Sequence, residues 1–182
     1  MGRRFKSDRR YLFPRHTVTR LELLIDRLQI ARNWTRNLLA DIEESRWFEM
    51  PAPGVGHVAW QVGHLAASQI VLVHVRCFEM AYTDVAPDAI RTTFARGSTP
   101  VADRSKYPPI REIRSLFDDV HNDVIRRVSN MPDTELDRQA GADPHPMFKD
   151  KAGAIAMTAL HETFHAGQIA MIRRIFGKAP LR

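Results

Sequence analysis

The sequence is poor in cysteine and in long apolar runs. Its single cysteine, Cys77, excludes a disulfide within the chain and is typical of proteins in a reducing compartment. No uninterrupted apolar run reaches the roughly 18 residues of a transmembrane helix. Residues 1–16 carry charge but lack the apolar segment of a secretory signal. We therefore expect a cytoplasmic protein that does not associate with a membrane.

Net charge is also scarce, except at one end of the chain. Residues 1–16 contain six Lys/Arg and one Asp, and this segment accounts for most of the net charge of +6. We predict a basic extension over residues 1–16 and one domain over residues 17–182. Basic arms can bind nucleic acid. However, the sequence has no basic patch with interleaved aromatic residues and no helix-turn-helix spacing, so we expect a solvated extension and no nucleic-acid partner.

Apolar residues recur every three or four positions, which indicates helices. The pattern predicts long helices over residues 18–45, 57–82, 110–130 and 151–176, separated by segments rich in proline and glycine. The connection over residues 83–109 is unusually long, and a short helix is expected at residues 88–94. With 44% hydrophobic and 26% charged residues, the chain fits one soluble globular domain, and the a/d spacing of apolar residues in the four long helices is typical of an all-α bundle.

Two histidines four residues apart mark the most informative segment, which reads His161-Glu162-Thr163-Phe164-His165. On a helix this spacing places both side chains on one face, with Cβ atoms about 5–6 Å apart, so both imidazoles can reach one metal ion. The segment also satisfies H-E-x-x-H, the zinc-protease signature in which the glutamate is a general base. Glu162 is thus a weak candidate for catalysis, because its position about 100° around the helix equally suits contact with a neighbouring helix.

The third ligand decides which class of metal site the two histidines belong to. Zinc proteases add a carboxylate or a third histidine downstream, but residues 166–182 contain no Asp, Glu, His or Cys. Any third ligand therefore comes from upstream, where the histidines are His16, His57, His64, His74, His121 and His145. His64 is preferred because it shares an inward-facing stripe with Trp60 and Val71, and a buried imidazole needs a polar partner.

Two short motifs emerge when these histidines are considered together. They are Trp60-x-x-x-His64-Leu65 and His161-x-x-x-His165-x-Gly167-Gln168-Ile169. Together they resemble the DinB-like (DinB/YfiT) superfamily of metal-dependent enzymes, over most of residues 18–176. The resemblance implies an up-down-down-up bundle with a long crossover between helices 2 and 3. It also implies a divalent ion, nickel or zinc, held by His64, His161 and His165 with further positions left to water.

The same resemblance implies chemistry on a small-molecule substrate. Some members are transferases or isomerases that use low-molecular-weight thiols as co-substrates. We therefore expect a small-thiol-dependent transferase, isomerase or hydrolase that forms a homodimer. The alternative is a non-catalytic helical-bundle module for binding or stress response, in which the metal site is structural or vestigial.

Five further residues are expected around the metal ligands. They are Trp60, Gln168, His57, His121 and His145. Gln168 follows His165 by one turn and is expected to orient a ligand or support packing. Trp60 and His57 precede His64 on nearly the same face and are expected to border the pocket. His145 lies between two prolines in a loop that can reach over a site, and His121 is the remaining spare histidine.

Overall fold

The structure is a computed structural model that describes residues 17–181, and these residues form five α-helices with no β-strand. The helices are α1 (Arg20–Leu39), α2 (Val58–Phe78), α3 (Asp88–Phe94), α4 (Ile110–Ser129) and α5 (Lys151–Ile175). The predicted all-α class is confirmed. The predicted basic extension over residues 1–16, together with His16, lies outside the described residues.

Two of the long helices begin at capping residues that can be recognised in the sequence. At the start of α1, Thr19 accepts a hydrogen bond from the Glu22 amide, and the Glu22 carboxylate accepts one from the Thr19 amide. At the start of α5, the Asp150 carboxylate accepts a hydrogen bond of 2.7 Å from the Gly153 amide. These contacts satisfy amides that have no partner within the helix, and so they fix where each helix begins.

Two helices end earlier than their apolar patterns predict. α1 ends at Leu39 rather than near residue 45, because the chain turns there and buries Trp47 and Phe48 in the core. α2 ends at Phe78 rather than near residue 82, since Glu79 adopts a left-handed backbone conformation with φ of 55°. Tertiary packing and one backbone torsion thus override the periodicity of the sequence.

The second half of α2 contains a π-helical segment, Ile70–Val75. A π turn holds more residues than an α turn, so it rotates the side chains that follow it relative to those that precede it. Within this segment, His74 lies 2.9 Å from Asp123 of α4. The face of α2 that carries His64 is therefore separated from the face that carries His74.

The four long helices pack so that each contacts two of the others. α1 lies against α5 and α4, and α2 lies against α4 and α5. The polar contacts of these pairs include Arg32–Glu162 for α1 with α5, Arg36–Asp118 for α1 with α4, Gln69–His121 and His74–Asp123 for α2 with α4, and Gln61–His165 and His64–His161 for α2 with α5. Just past the end of α1, Asp41 pairs with Arg173 of α5.

α2 is the most apolar helix of the fold. By length and composition Val58–Phe78 resembles a membrane-spanning helix, but most of it is buried against the other helices of the protein. Fully buried side chains along it include Val58, Val62, Ile70 and Val73. Its apolar surface is therefore used for packing within the core.

Candidate metal centre

Three imidazoles from two helices converge on one point. His64 lies in α2, and His161 and His165 lie one turn apart in α5. Nε2 of His161 is 3.3 Å from Nε2 of His64 and 3.2 Å from Nε2 of His165, and the ligand atoms of all three lie within 4.8 Å of one another. Two nitrogens bound to one ion at about 2.0–2.1 Å are about 3.3 Å apart at a tetrahedral angle. The spacing therefore fits a shared metal ion.

The tautomer of His64 is determined by the main chain of α3. Nδ1 of His64 lies 2.7 Å from the carbonyl oxygen of Phe94. A carbonyl oxygen only accepts hydrogen bonds, so Nδ1 carries the proton and donates it. In a neutral ring, Nε2 then has a free lone pair directed towards His161, as a metal ligand requires.

A chain of two glutamines determines the tautomer of His165 in the same way. The Gln61 amide nitrogen donates to the carbonyl oxygen of Gly56 at 3.3 Å and to Oε1 of Gln168 at 2.8 Å. Its amide oxygen is therefore the atom that faces Nδ1 of His165 and accepts the hydrogen bond from it. Nε2 of His165 is thus left unprotonated at the point where the three rings meet.

Burial keeps the three histidines neutral near pH 7. Desolvation, reinforced by the neighbouring imidazoles, lowers the pKa of His161 to about 4 and that of His165 to about 3. Burial also lowers the pKa of His64, although its hydrogen bond to Phe94 acts in the opposite direction. Metal ions bind neutral imidazole, so no neighbouring group has to remove a proton from the three rings before an ion can bind.

A partly open cavity of about 680 Å³ adjoins the three rings. Its wall comes from α2, from α3 and the residues after it, from the loop before α5, and from α5 itself. The lining side chains besides the histidines are mainly apolar, and they include Ala67, Val71, Leu72, Phe94, Met147 and Met157. A cavity of this size and character suits a small molecule bound next to the metal ligands.

The resemblance carried by the two histidine motifs extends over most of the sequence. The sequence model of the DinB superfamily matches residues 27–169, a range that includes His64, His161 and His165. The chain belongs to the DinB superfamily. A search among curated proteins found no match. Membership of the DinB superfamily and the cluster of three histidines are together compatible with a metal-dependent protein.

Two residues expected near the ligands contact them directly or through one partner. The indole of Trp60 stacks on His64, with ring centroids 4.7 Å apart and planes 8° from parallel, and its Nε1 donates to Ser98 at 2.9 Å. Gln168 contacts Gln61, which in turn holds His165. Both side chains therefore restrict the orientation of a clustered histidine in this member of the DinB superfamily.

Two other histidines that were expected around the site, His57 and His121, do not line the cavity. His57 caps the start of α2 by accepting a hydrogen bond from the Trp60 amide at 3.1 Å, and its Nε2 donates to the carbonyl of Val101 at 3.2 Å. His121 is buried on α4 and lies 3.3 Å from the side-chain amide nitrogen of Gln69. Neither residue lines the cavity beside the three ligands.

The loop histidine and the glutamate of the H-E-x-x-H segment have contrasting positions. His145 lines the cavity, stacks on Phe148 with ring centroids 4.0 Å apart, and accepts a hydrogen bond from the Met147 amide. Glu162 is buried in α5, where its Oε1 lies 2.8 Å from Nε of Arg32. Glu162 does not line the cavity.

Three residues that shape the site were not anticipated from the sequence. Phe94 supplies the carbonyl that binds His64, and its ring fills the space beside Gly63, where a Cβ atom would lie 2.3 Å from the ring. Gln61 holds His165 from α2. Gln61 could have been found from the sequence, because it follows Trp60 and lies one turn before Leu65, two residues of the first motif. No local feature of the sequence around Phe94 indicates its contact with His64.

Proposed function

We propose that this protein is a metal-dependent enzyme of the DinB superfamily, with a divalent ion held by His64, His161 and His165. Nickel and zinc are the metals that an all-imidazole site suits best among those expected. The proposed reaction is a transfer, isomerisation or hydrolysis of a small molecule, with a low-molecular-weight thiol as co-substrate. A bound divalent ion would supply a Lewis acid and a site for a thiolate.

The observation that carries this proposal is the position of the three imidazoles on the wall of a cavity. Their Nε2 atoms face one another, and the same rings line a space of about 680 Å³. A purely structural metal site is usually enclosed by four protein ligands. Three protein ligands beside a cavity instead leave room for a small molecule next to the ion.

The residues around the ligands have separate tasks in this proposal. Phe94 and Gln61 hold His64 and His165 in the tautomers that bind metal. The apolar side chains of the cavity exclude water from the substrate, which strengthens electrostatic interactions there. The Ser68 hydroxyl lies 3.3 Å from Nε2 of His64 and also lines the cavity, so it can donate a hydrogen bond to a bound group.

We also propose that the helices form a four-helix bundle in up-down-down-up order. The contacts of α1 with α5 and of α2 with α4 advance in the same direction along the two helices of each pair, which supports a parallel arrangement of each pair. Those of α1 with α4 and of α2 with α5 advance in opposite directions. The connection that contains α3 would then be the crossover between the parallel helices. We place the protein in the cytoplasm, which its single free, buried cysteine supports.

The partner that we propose is a second copy of the chain, bound through the outer faces of α5 and α1. On α5, Leu160, Phe164, Met171 and Ile175 are between 52% and 67% exposed, and Trp34 on α1 is 61% exposed. Monomeric proteins rarely expose apolar surface of this extent, and one face used twice forms a closed dimer. Analytical ultracentrifugation tests the proposal: we expect the wild type to sediment as a dimer and Phe164→Arg as a monomer. A monomeric wild-type protein would contradict it.

Elemental analysis of the purified protein tests the metal site. We expect about one divalent ion per chain in the wild type, and a large loss in His161→Ala and in His165→Ala, because two imidazoles alone hold a divalent ion weakly. His145→Ala is the matched control, since His145 lines the cavity without joining the cluster. Undiminished metal in both α5 variants would overturn the ligand assignment.

Assays of turnover distinguish an enzyme from the alternative, a non-catalytic binding module. Among residues 17–181, no carboxylate lines the cavity, and this favours the binding module because few groups remain for proton transfer. The protein is incubated with bacterial thiols and electrophilic substrates, with and without a chelator. Turnover that is abolished by the chelator and restored by nickel or zinc supports the enzyme. Metal-dependent ligand binding without turnover supports the module.

A further inference from the structure

The charged residues of the cavity wall are all positive. Arg91 and Arg96 line the cavity with the three histidines, and no Asp or Glu side chain lines it in the described part of the chain. The two guanidinium groups therefore give this part of the wall a positive electrostatic potential. A cavity with this charge favours an anionic ligand and disfavours a cationic one.

The two arginines differ in their contacts. Arg91 lies 3.1 Å from Asp88, one turn earlier in α3, and both side chains are more than half exposed. Arg96 follows the end of α3 and has no ion-pair or hydrogen-bond partner among residues 17–181. Burial, followed by the positive charges of Arg76 and Arg96, lowers the pKa of His145, and Arg96 and His145 line the same cavity. Arg96 therefore provides an uncompensated charge at the cavity.

The segment that carries Arg96 is attached to the metal centre. Phe94 is fully buried, and its carbonyl oxygen binds His64 while its ring packs against Gly63. Arg96 lies two residues further on, so the Cα atoms of Phe94 and Arg96 are at most about 7.6 Å apart. The backbone of Arg96 is thus held near the metal centre, and Arg96 lines the same cavity as the three imidazoles.

We propose that Arg96, assisted by Arg91, binds an anionic group of the substrate, and that the substrate is a small organic anion with an apolar body. The carboxylate or phosphate group contacts the guanidinium, the apolar part lies against side chains such as Leu72 and Met157, and the reacting atom faces the three histidines. Planar guanidinium groups bind both kinds of oxyanion through paired hydrogen bonds. The inference deepens the proposed function, on which it rests for the identity of the reacting end.

Calorimetric titration with three probes that share one alkyl chain tests the proposal. The probes are octanoate, octyl phosphate and octanamide, and each is titrated into the chelator-treated protein at low salt. We expect at least one of the two anions to bind about tenfold or more tightly than the amide, since a charge-assisted hydrogen bond contributes at least that factor. Whichever anion binds more tightly identifies the preferred group.

Substitutions locate the binding charge. Arg96→Gln is expected to remove the preference for the anions while leaving the affinity for octanamide unchanged, and Arg91→Gln is expected to have a smaller effect because Asp88 already neutralises it in part. Arg111→Gln is the control, because Arg111 is exposed on α4 and outside the cavity wall. Equal binding of all three probes to the wild type, or an equal loss in Arg111→Gln, overturns the proposal.

Repeating the titrations with zinc-loaded protein separates this proposal from the metal site. A carboxylate that binds the ion itself would show a preference only after zinc is added, and Arg96→Gln would retain it; that result overturns the role of Arg96. Conversely, an anion preference that depends on Arg96 in a protein that takes up no zinc supports the anion site and contradicts the proposed metal-dependent function.

Discussion

The carbonyl of Phe94 accepts a hydrogen bond of 2.7 Å from Nδ1 of His64, and the ring of the same phenylalanine packs against Gly63. The connection between α2 and α4 is therefore attached to a proposed metal ligand through both its main chain and a side chain. Because Phe94 also lines the cavity, a change at this contact affects the ligand and the substrate space together.

Replacing Gly63 by alanine is expected to disrupt that attachment. The added Cβ would lie 2.3 Å from the Phe94 ring, so the ring must move away. Overpacking of this kind costs about 1–3 kcal/mol of stability. We expect Gly63→Ala to lower the free energy of unfolding by that amount and to weaken zinc binding, as measured by chemical denaturation and by titration with a competing chelator.

Gly167→Ala is the matched control for this substitution. Gly167 also lies within a helix, but a Cβ atom there meets no other atom within 4 Å. Because alanine favours a helix over glycine, this variant is expected to gain about 0.5–1 kcal/mol in stability and to bind zinc normally. Equal stability of the two variants would show that Phe94 moves aside without penalty.

The sequence predicted the helices well, because apolar periodicity and capping residues such as Thr19 and Asp150 act locally. It also predicted which histidines lie together, although through the resemblance of motifs and not from periodicity alone. The position of Phe94 was not predictable, since its contact with His64 depends on how a connection of about 30 residues folds back over α2. Contacts between residues distant in the chain leave no local pattern.

Gln61→Leu is expected to weaken metal binding by a second route. The substitution removes the acceptor for Nδ1–H of His165, so the ring is free to adopt the other tautomer or to rotate. Loss of a group that orients a metal-binding histidine typically lowers affinity about 10–100-fold. Titration of zinc against a chelating dye measures the change.

Gln168→Leu serves as the graded comparison for this prediction. Gln168 holds Gln61 but does not contact His165, and Gln61 keeps its hydrogen bond to the Gly56 carbonyl in this variant. A smaller loss of zinc affinity is therefore expected. If both leucine variants bind zinc as the wild type does, the orienting role of Gln61 is refuted.

Glu162 is expected to behave as a structural residue. Arg32 and Glu162 form an ion pair whose side chains are 1% and 3% exposed, so Glu162→Gln leaves a buried guanidinium without its counter-charge. Breaking such a pair typically costs about 3–5 kcal/mol, whereas replacing both partners by apolar residues is often neutral. We expect a large loss of stability in Glu162→Gln and recovery in the double variant Arg32→Met with Glu162→Met.

Stability and turnover together distinguish this interpretation from a catalytic one. A structural Glu162 predicts that the double methionine variant retains both zinc and any chelator-sensitive turnover. A catalytic base predicts the reverse, namely a stable Glu162→Gln variant that binds zinc and has lost turnover. The combination of denaturation and activity measurements on the same two variants decides the matter.

His121 is expected to make the protein sensitive to mild acid. Burial, with the positive charges of Arg32 and Arg36, lowers its pKa from 6.5 to about 3. The unfolded chain therefore binds a proton below pH 6.5 that the folded protein does not, so stability falls as the pH decreases through this window. Each such histidine contributes a slope of up to about 1.4 kcal/mol per pH unit.

His121→Asn is the variant that isolates this effect, because asparagine can still accept a hydrogen bond from Gln69 but does not titrate. In the presence of a chelator, the free energy of unfolding is measured between about pH 6.5 and pH 4, above the range in which most carboxylates take up protons. We expect a shallower decline in the variant than in the wild type. His145→Asn is the graded comparison: burial and the charges of Arg76 and Arg96 lower the pKa of His145 as well, but its ring is only partly buried, so its curve is expected to fall between those of His121→Asn and the wild type. Parallel curves for all three proteins would mean that His121 takes up its proton in the folded state without penalty.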